Sequence, residues 1–323
     1  MNLGSWFYFI IYSSNIFSMT WFWISLVPPF LWAVANHMDK YLAERFYKRA
    51  RVLPGTLTFL SAIVSAGLAA ILFLAIPSVR TTPLWAILTL MAAGASAFVA
   101  VFPYIFALMR DEASRVVPLF QIGPVISFIL GWIFLGEHIT SLQIAAGGIV
   151  IFGAVTLNLD IDNRFRLKTS VLLLMVTSAT LFYVEAFLFK LASIHVGFWA
   201  GATYQYVGVA LSGLVLALAS PAYRRSFVAV VQANRRYLFF YALADQSITT
   251  VARVLFNFAT LLAPLVLVSL VTSFQPFFAI LIGTLLTMFL PHISTEAITR
   301  RHLGHKIFST AVIFFGTYLL LRS

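Results

Sequence analysis

Gln246, Thr250, Arg253 and Asn257 recur at i, i+4, i+7 and i+11 in an otherwise apolar run, with Asp245 and Thr249 on the shoulder of the same stripe. At 3.6 residues per turn this spacing lays them along one helix face. A charge near the centre of a bilayer costs about 2.5–3.5 kcal/mol on insertion scales, so such a face is expected to line a cavity or a buried network. The planar fork of Arg253 suits a carboxylate or a phosphate. Glu185, in another apolar run, is its expected partner: the two lie about 22 Å and about 24 Å from the basic ends of their helices at 1.5 Å per residue. Three roles are open to Glu185: a proton site, a ligand for a substrate amine, or the counter-ion of Arg253. Asp245 is expected only about 12 Å in, too far along the helix to meet Arg253.

Other polar and aromatic candidates are sparser. Gln121 stands three residues before Pro124, and Ser269 and Ser273 precede Pro276. A proline inside a helix frees a carbonyl. Pro124 and Pro276 are therefore expected to kink their helices where protein or cavity water supplies a partner, a geometry suited to gating. Ala92, Ser96, Ala100 and Tyr104 form a stripe of small residues ending in an aromatic, expected to pack closely, with Tyr104 in reach of a ligand. Trp32, Asn36, Phe182 and Tyr183 are further candidate lining. Lys40 and Lys190 read as interface anchors. His302 and His305 have no acid or thiol to complete a metal set, and cysteine is absent. No zincin, nucleophile-elbow or phosphate-loop motif occurs. No enzyme, cofactor or metal is expected.

These residues sit in a chain that is 61% hydrophobic and 10% charged, with mean hydropathy +0.97. Apolar spans of helical length follow one another at 21–37, 54–77, 83–109, 115–135, 141–159, 169–190, 197–218, 237–262, 264–289 and 306–321, the pattern of a helical polytopic membrane protein. Residues 1–20 are apolar in part but interrupted by Ser13, Ser14 and Asn15. They read as an interfacial segment or as an extension upstream of Met19, with a short further span as a third reading. Residues 21–159 form a first five-helix repeat, 160–168 a linker, and 169–323 a second repeat.

The net charge of +11 does not point to nucleic acid. Of the 21 basic residues, 17 fall after spans 1, 3, 5, 7 and 9, and three (Arg80, Lys190, Arg322) fall on the other side. By the positive-inside rule those five loops are cytoplasmic and both termini outside, in a cytoplasmic (inner) membrane.

The two halves echo one another. A shift of 152 pairs Pro124 with Pro276, Gly131 with Gly283, Tyr104 with Phe256, Gln121 with Ser273 and Ser127 with Ala279; a shift of 150 pairs Trp32 with Phe182. Five crossings per copy invert the second copy, the architecture by which many carriers build one site with two exits.

The run Ala113-Ser114-Arg115-Val116-Val117-Pro118-Leu119, then Gly123-Pro124-Val125, Leu135-Gly136-Glu137, Gln143 and Gly147, resembles the EamA-like branch of the drug/metabolite transporter superfamily. A weaker second copy lies at Ala259–Gly283 and Gly316. The resemblance implies a ten-helix carrier of small metabolites with a cavity lined mainly by helices 1, 3, 4, 6, 8 and 9. In the second half Phe289 stands where Glu137 would be echoed. The family pattern places the termini in the cytoplasm; the charge distribution of this chain puts them outside.

The expected fold is thus an all-α polytopic membrane protein of ten transmembrane helices in two inverted repeats. The expected function is secondary transport, by export or exchange, of small polar or amphipathic metabolites such as amino acids, with alternating access and protons as a possible coupling ion. A flippase for a lipid-linked headgroup and a non-transporting scaffold or sensor are the competing readings. The expected partners are a small-molecule substrate and membrane lipids, without nucleic acid, and the chain is expected to be monomeric.

Overall fold

The computed structural model describes residues 20–42, 53–110, 116–157, 169–232, 236–289 and 300–322. These are helical almost throughout. The first half contains α1 (Thr20–Leu42), α2 (Thr58–Ala75), α3 (Leu84–Arg110), α4 (Gly123–Phe134) and α5 (Ser141–Leu157). The second contains α6 (Thr169–Val196), α7 (Phe198–Ala219), α8 (Pro221–Gln232), α9 (Arg236–Leu262), α10 (Leu265–Val271), α11 (Gln275–Phe289) and α12 (Arg300–Arg322). Among the described residues, five helical stretches are long and apolar enough to cross a membrane: α2, α3, α6, α7 and the α10–α11 stretch from Leu265 to Leu285. The chain is a multi-pass, all-helical membrane protein. The segment before Thr20, the linker at 160–168 and the turn at Ala113–Arg115 lie outside the described residues.

Helices are the only spanning form open to such runs, because each backbone donor finds its acceptor within the segment. Their ends fall at local breakers. Ile76 takes an extended conformation ahead of Pro77 and closes α2. Gly197 adopts φ 85°, which lets α6 turn into α7 within one residue. Pro264 stands immediately before α10.

Three details differ from the sequence expectation. The α1 helix continues beyond residue 37 to Leu42, so Asp39 lies in the helix rather than in the following loop. A short polar helix, α8, occupies what reads as a linker; its Tyr223 hydroxyl donates to the Pro54 carbonyl at 3.1 Å, and Ser226 Oγ accepts from the Leu53 amide at 3.0 Å. It therefore covers the turn that enters α2. Finally, Ala92 faces outward, and the close seam of α3 runs over Ala93, Gly94, Ala97 and Ala100, all buried.

That seam holds the bundle together. α3 packs along both α6 and α7, α1 along α9, α2 along α7, α5 along α12, and α10 against α4. Contact is close enough for side chains to bond a neighbour's backbone. Ser96 Oγ donates to the Leu181 carbonyl and Ser178 Oγ to the Ala100 carbonyl, each at 2.7 Å. A methyl group on Gly94 would strike the Gln205 carbonyl, and one on Gly208 would strike the Met91 backbone. Small residues here permit helix contact that lipid alone would not drive.

Candidate functional site

The deepest polar cluster ties α6, α7 and α9 together. Glu185 (α6) is 4% exposed, and its Oε1 accepts hydrogen bonds from Gln205 Nε2 (α7) and from Asn257 Nδ2 (α9), the latter at 3.1 Å. Asn257 Nδ2 also donates to Gln205 Oε1 at 2.9 Å, closing a triangle. A buried carboxylate is tolerable only when such donors or a counter-charge replace water. Arg253 is not in direct contact with it: no Glu185–Arg253 ion pair occurs among the described residues. Its guanidinium instead lies 5.6 Å from the centroid of the Phe182 ring, a cation–π placement, and acts on Glu185 through space. The expected pairing is corrected accordingly. Amide donors from two helices already hold the carboxylate, so the arginine is left to cap the aromatic face.

From this cluster a cavity of about 210 Å³ runs toward the ends of the helices that adjoin the basic linkers. Glu185 and Arg253 line its inner end. Trp32, Tyr104, Phe120, Phe182 and Phe256 form its wall, and Leu42, Leu57 and Met109 mark its outer reach. The wall holds two aromatic groups: Trp32 and Phe256, with centroids 5.6 Å apart, and Tyr104, Phe120 and Phe182, with Tyr104–Phe120 at 5.5 Å and Phe120–Phe182 at 6.0 Å. Asp39, Asp245, Gln246 and Thr250 face the cavity nearer its outer reach. Besides the helices implied by the family resemblance, α2 and α7 contribute, through Ser61, Ser65, Tyr206 and Val209.

Gln121 lines the cavity and accepts a hydrogen bond from Ser273 Oγ at 2.8 Å. Each belongs to a 3-10 stretch, Val117–Ile122 and Thr272–Phe274, that leads into a helix with its proline at the second position. Pro124 and Pro276 thus stand just after a 3-10 turn within the longer helical stretches Leu119–Phe134 and Leu265–Leu285. In each half the departure from α geometry falls in the residues just before the proline. Ser273 and Asn257 stand one layer behind the wall, and neither proline touches the cavity.

The opposite end of the bundle is shut. Tyr183, Phe187, Phe256, Ala259, Leu265 and Val268 pack as one buried cluster, with Tyr183 and Phe256 at the cavity and the others beyond it. Over it, Lys190 Nζ lies 2.5 Å from Glu137 Oε1 and donates to the Ala263 carbonyl at 2.8 Å. Both Glu137 oxygens also accept from the Leu265 amide, at 3.0 and 2.8 Å, which caps the start of α10. Gly136, at φ 63°, turns the chain so that the Glu137 carboxylate folds back against Gly131, where a Cβ would collide with it. Lys190 is therefore a buried structural partner and not an interface anchor.

Among the sequence candidates, Trp32, Tyr104, Gln121, Glu185, Asp245, Gln246, Thr250 and Arg253 share the cavity. Sequence reasoning missed several contributors, among them Asp39 and Gln205. Asp39 stands with Trp32 and Asn36 at i, i+4 and i+7, a stripe that the full length of α1 would have exposed. Gln205 has no periodic signal, and only the fold brings it to Glu185. Among the described residues no group of three or more His, Cys, Asp or Glu is arranged to hold a metal ion.

Residues 19–159 match the EamA-like transporter family. This part of the chain is similar to an EamA-like transporter domain. The EamA family points to membrane transport of small molecules rather than to catalysis. No curated protein matches the chain by sequence. The chain is similar to 19 solved chains; for one of them, at 16% identity and TM-score 0.58, the likeness covers 92% of this chain and 94% of the other. At that identity the likeness speaks for the fold alone.

Proposed function

We propose that this EamA-like protein is a ten-crossing secondary transporter, built from two inverted five-helix repeats, that moves small polar or amphipathic molecules across the cytoplasmic membrane by alternating access. One observation carries the reading: a cavity that reaches the basic-linker end and stops beneath a packed, ion-paired closure at the other end. That is the arrangement of a carrier caught facing one side. With the basic linkers in the cytoplasm, the side it faces is the cytoplasm.

The packing supports the repeat. Gln121 and Ser273, hydrogen-bonded to each other, are 152 positions apart, which is also the offset that superposes the two halves of the sequence. Two elements related by a two-fold axis can touch at equivalent residues only near that axis. The α5–α12 contact joins corresponding helices of the two halves, and the α3–α6 contact mirrors the α9–α1 contact. The 3-10 stretches also recur at matching places in the two halves.

Proteoliposomes test the proposal. Flux of at least one member of a metabolite panel, saturable and dependent on the protein, is expected. Accumulation driven by an imposed pH gradient would assign protons as the coupling ion. Absence of flux across the panel for folded, reconstituted protein would count against transport and leave a scaffold or sensor role.

A further inference from the structure

The cavity is acidic although the chain is basic. Among the described residues, Asp39, Asp245 and Glu185 line it against one guanidinium, Arg253, with no lysine or histidine in that lining, whereas the whole chain carries +11. Glu185 is solvated by Gln205 and Asn257 and acts on Arg253, so those two charges offset each other. The excess lies at Asp39 and Asp245.

These two side chains come from α1 and α9, which pack along each other, and their carboxyl groups act on one another and on Tyr104. Asp245 is 1% exposed. Its Oδ2 accepts from Gln246 Nε2 at 2.9 Å, but its Oδ1 is buried beside the cavity that Asp245 lines and has no partner. A buried carboxylate oxygen left without a donor is costly, and a second carboxylate beside it raises that cost. What relieves both is a positive charge between them.

We infer that the Asp39–Asp245 pair, with Gln246 and Tyr104, binds the ammonium group of a small organic amine whose apolar body lies along the aromatic wall. A divalent metal fits poorly, since calcium takes six to eight oxygens and this corner offers two carboxylates and one amide before the wall turns aromatic. Trp32, Tyr104, Phe120 and Phe182 instead present ring faces that suit an organic cation. Arg253 is eight residues beyond Asp245, about 12 Å along α9, and its charge repels a cation from the inner end. The orientation follows: amine outward, toward the basic-linker end, and body inward. This deepens the transporter reading by naming its substrate class, and only the word substrate depends on that reading.

Equilibrium binding to purified full-length protein tests it, with radiolabelled phenethylamine as the probe and unlabelled phenethylamine or phenylacetate as competitors of matched shape and opposite charge. Phenethylamine is expected to bind saturably, and phenylacetate to compete at least about tenfold less well. Asp245→Asn and Asp39→Asn are each expected to weaken phenethylamine binding by about tenfold or more, and Asp245→Glu by less. Equal competition by phenylacetate overturns the site using wild-type protein alone. So does the absence of saturable binding up to about 10 mM, or unchanged affinity in folded Asp→Asn variants. In proteoliposomes the two proposals separate. Charge-selective binding without flux removes the transporter reading and leaves the site. Flux that ignores substrate charge keeps the transporter and removes the site.

Discussion

Lys190 and Glu137 meet at 2.5 Å across the closed end of the bundle, and the same carboxylate caps the Leu265 amide of α10. One charge pair thereby joins the end of α6, the loop after α4 and the start of α10. Both side chains are about nine-tenths buried. In the proposed alternating-access cycle, opening on this side would separate the pair, which would resist that step.

The first prediction concerns this pair. Lys190→Met leaves a buried carboxylate without its counter-charge and should cost about 3–5 kcal/mol of stability. Glu137→Gln keeps an acceptor for Leu265 but leaves the buried Lys190 ammonium without its counter-charge, and should cost a similar amount. A double-mutant cycle read by thermal unfolding should give a clear coupling energy, and thiol labelling of a cysteine placed in the packed cluster at Phe187 should rise in both single variants. Additive effects with unchanged labelling would show that the pair holds nothing closed.

The pair also marks where sequence stops being informative. Glu137 was legible as part of Leu-Gly-Glu, and Lys190 as the end of a span, but their meeting depends on how three loops converge. Gln205 illustrates the same limit, because a single amide among small and aromatic residues has no period to expose it. By contrast, the α9 stripe was readable because polar residues at helical spacing contrast with apolar surroundings. Asp39 fell between these cases: Trp32, Asn36 and Asp39 keep the helical spacing, but an apolar-span criterion ends α1 before the acid is reached.

The second prediction concerns the α3–α7 contact. Gly94→Ala and Gly208→Ala each place a methyl group against neighbouring backbone, which can yield only if the helices part. Each should cost about 1–3 kcal/mol. Gly67→Ala is the control, since no atom lies within 4 Å of the added methyl, and it should gain about 0.5–1 kcal/mol from helix propensity. Equal melting temperatures for all three would mean the seam is looser than its geometry.

The third prediction is orientation. With 17 of 21 basic residues beside the same ends of the helices, the linkers after α1, α3, α5, α7 and α11 are expected in the cytoplasm, and the C-terminus outside. A reporter fused after Ser323 that is active only outside the cytoplasm should give signal, and one active only inside should not. The reverse pattern would turn the molecule over, making the cavity face outward and the Glu137–Lys190 closure face the cytoplasm.

The fourth prediction separates two duties of Glu185. Its Oε1 accepts from Gln205 and Asn257, and Arg253 acts on it from above Phe182. In Glu185→Gln the side-chain carbonyl can still accept from both amides, so the triangle is retained and only the charge is lost. If the carboxylate serves mainly to balance Arg253, Glu185→Gln should destabilise the protein, and adding Arg253→Gln should recover much of the loss, because no uncompensated guanidinium remains. If it carries a transported proton, Glu185→Gln should abolish accumulation driven by a pH gradient while exchange of substrate across equal pH persists. Thermal unfolding reads the first duty and proteoliposome flux the second, so the same three proteins report on both. A Glu185→Gln variant with wild-type stability and intact gradient-driven accumulation would exclude both duties, leaving Asp39 and Asp245 as the cavity's remaining acids to carry the proton.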